Sequence, residues 1–306
     1  MPIVNTEVPI TSERNQQSLQ QIAKAYPFVK LEEVGDTDFQ RPIWMLTIGT
    51  GPRKVLFTAA HHANEWITAL VLLKYAEDLA DAIGKDGILF GQRAKALAEA
   101  VTIHLIPLVN PDGVDLVTGA IGPENAQYAL AKGLAENYPT IPFPDGWKAN
   151  LLGTDLNLNY PAGWLQAREI KFSQGFTRPG PRDYVGRAPL DQEETDALAE
   201  LTEELDPDLV LAYHSQGKEI YWKFKDYFVP GAEELGKVMA RVSGYTLADT
   251  PYESAFAGYK DWFIQNFRRP GYTVEVGSGV NPLPLSQFPE IYRDNVPLLN
   301  IAALGL

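Results

Sequence analysis

Cysteine is absent from all 306 residues of the sequence. This absence excludes disulfides, thiolate catalysis, iron–sulfur clusters and cysteine zinc sites, although it does not fix the redox compartment. Long apolar runs are also missing: the longest, Ile67–Leu73, is interrupted by Thr68, whereas a membrane span needs about 20 apolar residues. The first residues show neither the basic start nor the apolar stretch of a secretory signal. We therefore predict no membrane insertion and expect a cytoplasmic protein. An extracellular protein stays open if a signal was removed or if export needs none.

Basic residues are few, since 26 Lys and Arg stand against 39 Asp and Glu and give a net charge of −13. Binding to a nucleic-acid backbone needs a basic face, so this class of partner is excluded. The hydrophobic fraction of 45% is enough for a sizeable core. No linker or repeat divides the chain, so we predict one domain over residues 1–306. Roughly the first 40 residues are expected to form a helical or extended N-terminal segment of that domain.

Helical and strand-like segments alternate along the chain, which predicts an α/β sandwich with a largely parallel sheet. Asp191 followed by Glu194 is typical of a capping box that opens a helix. The predicted strands are Ile43–Ile48, Lys54–Ala60, Val101–Val109, Leu209–Tyr213, Glu219–Phe224 and Tyr272–Val276. The predicted helices are Ser18–Tyr26, Glu65–Ile83, Asp191–Leu205, Ala232–Ser243, Tyr259–Phe267 and Ser286–Leu304, the last interrupted at Pro297.

Histidine occurs only four times, and His62 lies just past a predicted strand, three residues before Glu65. One helical turn can aim both side chains at one point, and imidazole and carboxylate are both zinc ligands. The alternative is a turn histidine followed by a glutamate that favours the start of a helix. His61 is expected to have a packing or supporting role, and His104 to be a hydrogen-bonded residue of the sheet.

His214 ends another predicted strand, 152 residues after His62. Ligands of open α/β sheets collect beyond the carboxyl ends of the strands. A strand-end histidine is often only a structural residue, but with His62 and Glu65 it completes a set of two histidines and one glutamate. That set leaves a coordination position for water in catalytic zinc sites.

Two further charged residues have functional and structural interpretations. Glu275 lies in an otherwise apolar strand, where a carboxylate is costly unless it is paired or used; it is a candidate general base or an edge-strand residue facing water. Lys148 is a candidate for stabilising an oxyanion or a solvated loop lysine.

Seven segments follow one another in a characteristic order, namely His62–Trp66, Val109–Gly113, Trp147-Lys148, Asp155–Asn159, His214-Ser215, Tyr252 with Asp261-Trp262, and Tyr272–Glu275. In this order they resemble the carboxypeptidase A-like zinc metallocarboxypeptidases. The resemblance implies a single α/β domain with a mixed, mainly parallel sheet flanked by helices. It also implies one zinc ion held by His62, Glu65 and His214, with Glu275 as general base and Lys148 at the position of an oxyanion-stabilising arginine.

Departures from the family pattern concern the substrate. Leu158 stands where carboxypeptidases have the arginine that binds the terminal carboxylate of the substrate, so a bidentate guanidinium contact is missing there. Lys260 occupies a position that lines the specificity pocket, and we hypothesise that it faces a substrate carboxylate. The resemblance further implies substrate contacts from Asn157 and Tyr252, with one inserted residue needed to match Tyr252. Gln216 follows His214-Ser215 where the family has an aromatic residue, and it is a further predicted substrate contact.

The matching segments and these departures together resemble the bacterial γ-D-glutamyl-meso-diaminopimelate peptidases. Those enzymes cleave the bond between D-glutamate and the diamino acid of peptidoglycan stem peptides. The expected partner is therefore a stem peptide or muropeptide. Two alternatives stay open from the sequence. One is an ordinary metallocarboxypeptidase that removes C-terminal residues, which Leu158 disfavours. The other is a non-catalytic cell-wall peptide binder, which the retained ligand set and Glu275 disfavour.

Overall fold

The apolar strands assemble into one eight-stranded sheet in the computed structural model, which describes residues 2–305. The order across this sheet is β1-β2-β6-β3-β7-β10-β8-β9, and β4 and β5 form a separate hairpin. The strands are β1 Lys30–Asp36, β2 Pro42–Ile48, β3 Arg53–Ala59, β4 Ile88–Leu89, β5 Gln92–Arg93, β6 Val101–Ile106, β7 Leu209–Ser215, β8 Glu219–Tyr221, β9 Thr246–Ala248 and β10 Gly271–Val276. The helices are α1 Ser12–Ala25, α2 Ile67–Gly84, α3 Ala94–Ala100, α4 Pro111–Val117, α5 Ala126–Ala135, α6 Trp164–Ser173, α7 Glu193–Leu205, α8 Ala232–Ser243, α9 Tyr259–Phe267 and α10 Phe288–Leu304.

The centre of the sheet is parallel. Strands β6, β3, β7 and β10 run in one direction, and antiparallel β2 and β8 flank them. Parallel neighbours need long crossover connections, which here contain helices. The predicted α/β sandwich with a mixed, mainly parallel sheet flanked by helices is confirmed.

Alternate residues of the central strands face opposite cores. In β3, Phe57 belongs to one core and Leu56 to the other; in β7, Leu211 and Ala212 divide in the same way. The first core takes residues from α1, α2, α8 and α10, and the second from α6, α7 and α9. Because side chains alternate with a period of two, His214 points to the same side as Ala212.

The N-terminal segment contacts this framework at several points. β1 pairs with β2, and Leu19 and Ile22 of α1 are buried in the first core. Glu77 accepts a hydrogen bond from the backbone N–H of Ile3 at 2.5 Å. None of the helices between residues 2 and 305 combines the length and the hydropathy that a membrane span requires.

Two local predictions were wrong. Gln192, and not Asp191, precedes α7, because the Asp191 carboxylate instead accepts hydrogen bonds from backbone N–H groups that include that of Arg187 at 2.7 Å. Pro297 lies inside α10 without ending it. A proline in a helix costs about 3 kcal/mol, but its neighbours Val296 and Leu298 are fully buried and hold the helix in place.

Candidate metal centre and active site

The carboxyl ends of three adjacent parallel strands carry the predicted site. His214 lies on β7 and Glu275 on β10, and their Cα atoms are direct partners in the parallel ladder. Paired residues of parallel strands point to the same face. His62 follows the end of β3, which is the other neighbour of β7. The sheet therefore brings His62, His214 and Glu275 to one edge, as the sequence predicts.

A tight turn after β3 positions His62 and Glu65. Ala60 has a φ of 51°, an uncommon conformation for a residue with a side chain. Its N–H donates to Thr68 Oγ1 at 3.0 Å, and the N–H of Ala63 donates to the Lys148 carbonyl at 3.0 Å. These bonds hold the single turn of 3-10 helix that ends at Glu65 against the loop carrying Lys148.

Three donor atoms converge at this edge. His62 Nδ1 lies 3.0 Å from Glu65 Oε1, His214 Nδ1 lies 3.0 Å from Glu65 Oε2, and the two Nδ1 atoms are 3.1 Å apart. Ligands about 2.1 Å from a tetrahedral zinc ion lie about 3.4 Å from one another. The residues present therefore fit zinc, and all three are buried.

Neighbouring groups orient these donors. Asp155 Oδ1 lies 3.0 Å from His62 Nε2, which leaves Nδ1 of that ring for the metal. Glu65 Oε2 accepts from the backbone N–H of Ser215 at 3.2 Å. Burial alone would raise the pKa of Asp155, but His62 and Lys148 hold it below its ordinary value. The carboxylate thus stays ionised beside the histidine.

The two predicted catalytic residues lie beside the donors. Lys148 Nζ is 3.3 Å from Glu65 Oε1. Burial opposes its charge, but Glu65 and Asp155 raise the pKa of Lys148, so it stays cationic. Burial, followed by the negative charge of Glu65, raises the pKa of Glu275 to about 8. A carboxyl group with a pKa near the working pH suits proton transfer.

Two cavities meet at this centre. The inner one has a volume of about 170 Å³, and the outer groove about 820 Å³. His62 and His214 line the inner cavity, and Glu65 lines the groove. The residues that line both are Lys148, Arg182, Tyr221 and Glu275. A substrate bond placed at this junction would lie beside both predicted catalytic groups.

Two of the predicted substrate contacts line the inner cavity, namely Asn157 and Lys260. Asn157 Oδ1 accepts a hydrogen bond from the backbone N–H of Tyr259 at 3.0 Å. Lys260 Nζ is paired with Asp261 and donates to the Lys223 carbonyl at 2.8 Å. Its charge is thus already compensated inside the protein, which weakens the hypothesis that Lys260 offers a free cation to the substrate.

The other two predicted contacts lie farther out. Gln216 lines the outer groove, where its Oε1 accepts from the backbone N–H of Gly279 at 3.3 Å. Tyr252 is 65% exposed and accepts a hydrogen bond from Gln166 Nε2 at 2.8 Å. Tyr252 does not line either cavity, although its neighbours Thr250 and Ser254 line the inner one. All four substrate contacts stay predictions.

Sequence reasoning missed Arg182, Asp183 and Tyr221, which line the inner cavity. Arg182 and Asp183 belong to a Gly- and Pro-rich loop that shows no helical or strand periodicity, and no spacing relates them to the histidines. The sequence offered only an adjacent cation and carboxylate, in a loop that also contains Arg178 and Arg187.

Comparisons with known proteins agree with this geometry. Residues 16–297 match the zinc carboxypeptidase family. The chain belongs to that family. The gamma-D-glutamyl-L-diamino acid endopeptidase 1 of Lysinibacillus sphaericus is 41% identical over 278 residues, 90% of this chain and 67% of the relative. The uncharacterized protein YqgT of Bacillus subtilis (strain 168) is 37% identical over 280 residues, 91% of this chain and 73% of the relative.

The fold is also found among solved structures. The carboxypeptidase A of Helicoverpa armigera superposes with a TM-score of 0.71 and 21% identity, covering 98% of this chain and 75% of that chain. At this identity the likeness concerns the fold. Family membership and the set of donors formed by His62, Glu65 and His214 together show that this protein is a zinc metallopeptidase that uses one metal ion.

Zinc binding is expected to weaken as the pH falls below about 9. Burial opposes charge on His62, but Glu65 and Asp155 outweigh it and raise its pKa to about 9. At pH 7 zinc must therefore displace a proton from His62, and its charge also favours loss of the Glu275 proton, whose pKa is about 8. Calorimetry in buffers of different ionisation enthalpy should show more than about one proton released per zinc.

The Glu275→Gln variant provides the comparison for this measurement. It should release about one proton fewer per zinc at pH 7, with the share from His62 unchanged. Zinc affinity that is flat between pH 6 and pH 9 would contradict the protonation states assigned here.

Proposed function

We propose that this zinc peptidase hydrolyses the γ-D-glutamyl–diamino acid bond of peptidoglycan stem peptides. The observation that carries the proposal is the junction of a small inner cavity with an open groove at the metal donors, where Glu275 and Lys148 line both spaces. Such a site accepts a bond within a short peptide. The 41% identity to a gamma-D-glutamyl-L-diamino acid endopeptidase supports this substrate class.

The lack of an arginine at position 158 supports the same substrate class. Leu158 lines the inner cavity, where its apolar side chain supplies no guanidinium for a terminal carboxylate. An ordinary carboxypeptidase depends on that contact, whereas an enzyme that cleaves within a stem peptide does not. The net charge of −13 gives no attraction to anionic wall polymers. Soluble stem peptides and muropeptides are therefore the proposed substrates.

The residues of the site divide the chemistry between them. Zinc, when bound, lowers the pKa of a water ligand to about 7 and polarises a carbonyl group. Glu275 takes the proton of the attacking water and delivers it to the leaving amine. Lys148 keeps a positive charge beside the carbonyl oxygen as that oxygen becomes negative. Asp155 holds the ring of His62 in its ligating orientation.

Mass spectrometry of the products from a defined peptide tests the proposal. The zinc-loaded protein is incubated with L-Ala-γ-D-Glu-meso-diaminopimelate and with the tetrapeptide that carries an additional D-Ala. We expect L-Ala-D-Glu from both peptides, with free diaminopimelate from the first and diaminopimelyl-D-Ala from the second. A chelator should stop both reactions, and added zinc should restore them.

Two parallel substrates separate the alternatives. A blocked dipeptide with a free C-terminus reports ordinary carboxypeptidase activity, and an α-linked L-Glu isomer of the tripeptide reports the linkage preference. Release of D-Ala alone from the tetrapeptide would assign a carboxypeptidase. Binding of the peptides by the zinc-loaded protein without any cleavage would assign a non-catalytic binder.

A further inference from the structure

Arg182 lies between the two loops that flank the metal donors. The carbonyl of the preceding residue, Pro181, accepts hydrogen bonds from the backbone N–H groups of Lys148 and Ala149 at 2.7 and 3.0 Å. The N–H of the following residue, Asp183, donates to Asp155 Oδ2 at 3.2 Å. The backbone on both sides of Arg182 is therefore fixed to segments that carry active-site groups.

The Arg182 side chain is held at one edge only. Its Nε donates to Asp183 Oδ2 at 2.6 Å. Among the described residues, no other acceptor contacts the guanidinium, so both Nη groups are available. The side chain is 42% exposed and lines both the inner cavity and the outer groove. An arginine oriented in this way presents two parallel N–H donors to a ligand.

Arg182 shares its nearest carboxylate with a second cation. Asp183 Oδ1 also accepts from Lys171 Nζ at 2.7 Å, so one carboxylate serves two cations. Lys260 is neutralised by Asp261, and Lys148 lies 3.3 Å from Glu65. Arg182 is thus an inner-cavity cation that keeps two free Nη groups and shares the carboxylate of Asp183 with Lys171.

Asp183 adopts a backbone conformation that favours this arrangement. Its φ is 64°, in the left-handed region that residues other than glycine adopt only when the surrounding structure holds them there. The N–H of Asp183 bonds to Asp155 while its carboxylate bonds to Arg182 and Lys171. The conformation therefore connects the metal-orienting carboxylate to the guanidinium.

We propose that Arg182 binds a substrate carboxylate next to the scissile bond, in place of the guanidinium that is absent at Leu158. The inference rests on the proposed function, because a γ-D-glutamyl-diaminopimelate bond has free carboxylates on both sides. A planar carboxylate matches the two free donors of an arginine, and a lysine does not reproduce this fork. Arg182 is therefore a specificity residue that selects acidic peptides.

Kinetics with singly amidated substrates test this role. The tripeptide L-Ala-γ-D-Glu-meso-diaminopimelate has three free carboxylates, one on D-Glu and two on the diamino acid, and each is amidated in turn. Arg182→Met should raise KM for the acidic tripeptide about 10- to 100-fold with little change in kcat, because the lost contact stabilises ground state and transition state alike. With one of the three amides, variant and wild type should have nearly equal KM, and that amide identifies the bound carboxylate.

The controls separate binding from structure. Arg187→Met removes an exposed arginine of the same loop and should leave KM unchanged. Arg182→Lys keeps the charge without the two parallel donors, and it should show a smaller increase in KM with the same dependence on amidation. This variant replaces Arg182→Met in the test if Arg182→Met does not fold. Zinc content and thermal midpoints are measured for each variant. Dissociation constants measured in a Glu275→Gln background give a readout that does not depend on turnover.

The outcomes distinguish this proposal from the proposed function. If wild type cleaves the tripeptide but Arg182→Met loses the same factor on all four substrates, Arg182 has only a structural role and this proposal is wrong. If wild type cleaves none of the substrates, the proposed function itself fails. If the effect of Arg182→Met on KM disappears with one of the amidated tripeptides, both the role of Arg182 and the proposed function are supported.

Discussion

Replacing Glu275 by glutamine is expected to lower kcat about 10²- to 10⁴-fold, the usual cost of removing a general base, while the zinc content stays at one ion per chain. Glutamine has nearly the same shape but cannot accept a proton from water. Glu275 is also outside the set of donors formed by His62, Glu65 and His214, so the metal should be retained. Turnover of the defined tripeptide and metal analysis of the same sample measure both effects.

Glu194 offers a matched control for this substitution. It is a second buried glutamate whose pKa burial raises to about 8, and its nearest partner is the amide of Asn150 at 3.2 Å. Because Glu194 is largely protonated near pH 7, Glu194→Gln should change neither kcat nor zinc content appreciably. A Glu275→Gln variant that keeps the wild-type rate would remove Glu275 from the mechanism.

Replacing Glu65 by glutamine is expected to abolish stoichiometric zinc binding and, with it, turnover. Glu65 contacts both ligating histidines, and its negative charge partly neutralises a bound divalent ion. A ligand that binds only the folded state at about 1,000 times its dissociation constant stabilises that state by about 4 kcal/mol. Wild type should therefore unfold at higher temperature when zinc is added, and Glu65→Gln should not respond.

The same substitution at Glu77 controls for the loss of a buried carboxylate. Glu77 lies on α2 and pairs with Lys74 at 3.1 Å, in a part of the molecule that holds the N-terminal segment. Glu77→Gln should lower the thermal midpoint slightly but keep the zinc-dependent increase. Wild-type zinc affinity in Glu65→Gln would contradict the ligand set.

The core of the site was predictable because its signals are local. His62 and Glu65 are three residues apart at the start of a helical segment, and His214 and Glu275 each lie in a short apolar strand. Because the carboxyl ends of parallel strands lie at one edge of the sheet, these residues are expected to lie close together. The fold followed from the alternation of the same apolar segments with helices.

Other features depend on contacts that no local pattern contains. The pairing of Lys260 with Asp261 depends on side-chain directions, and the Lys223 carbonyl that it also contacts is 37 residues away in sequence. The sequence places the Asp191 carboxylate where it could cap α7, but in the fold it accepts from the N–H groups of Arg187 and Ala188. Arg182 owes its position to hydrogen bonds of its neighbours, which sequence alone does not reveal.

The ladder between β7 and β10 has a consequence for how this enzyme tolerates change. His214 and Glu275 are opposite one another, so the distance between a metal ligand and the general base is set by backbone pairing. Adding or deleting one residue within β10 would turn Glu275 toward the apolar layer. Length variation is therefore compatible with catalysis only outside this ladder, and engineered insertions that alter selectivity belong in the segments after Ser215 and Val276.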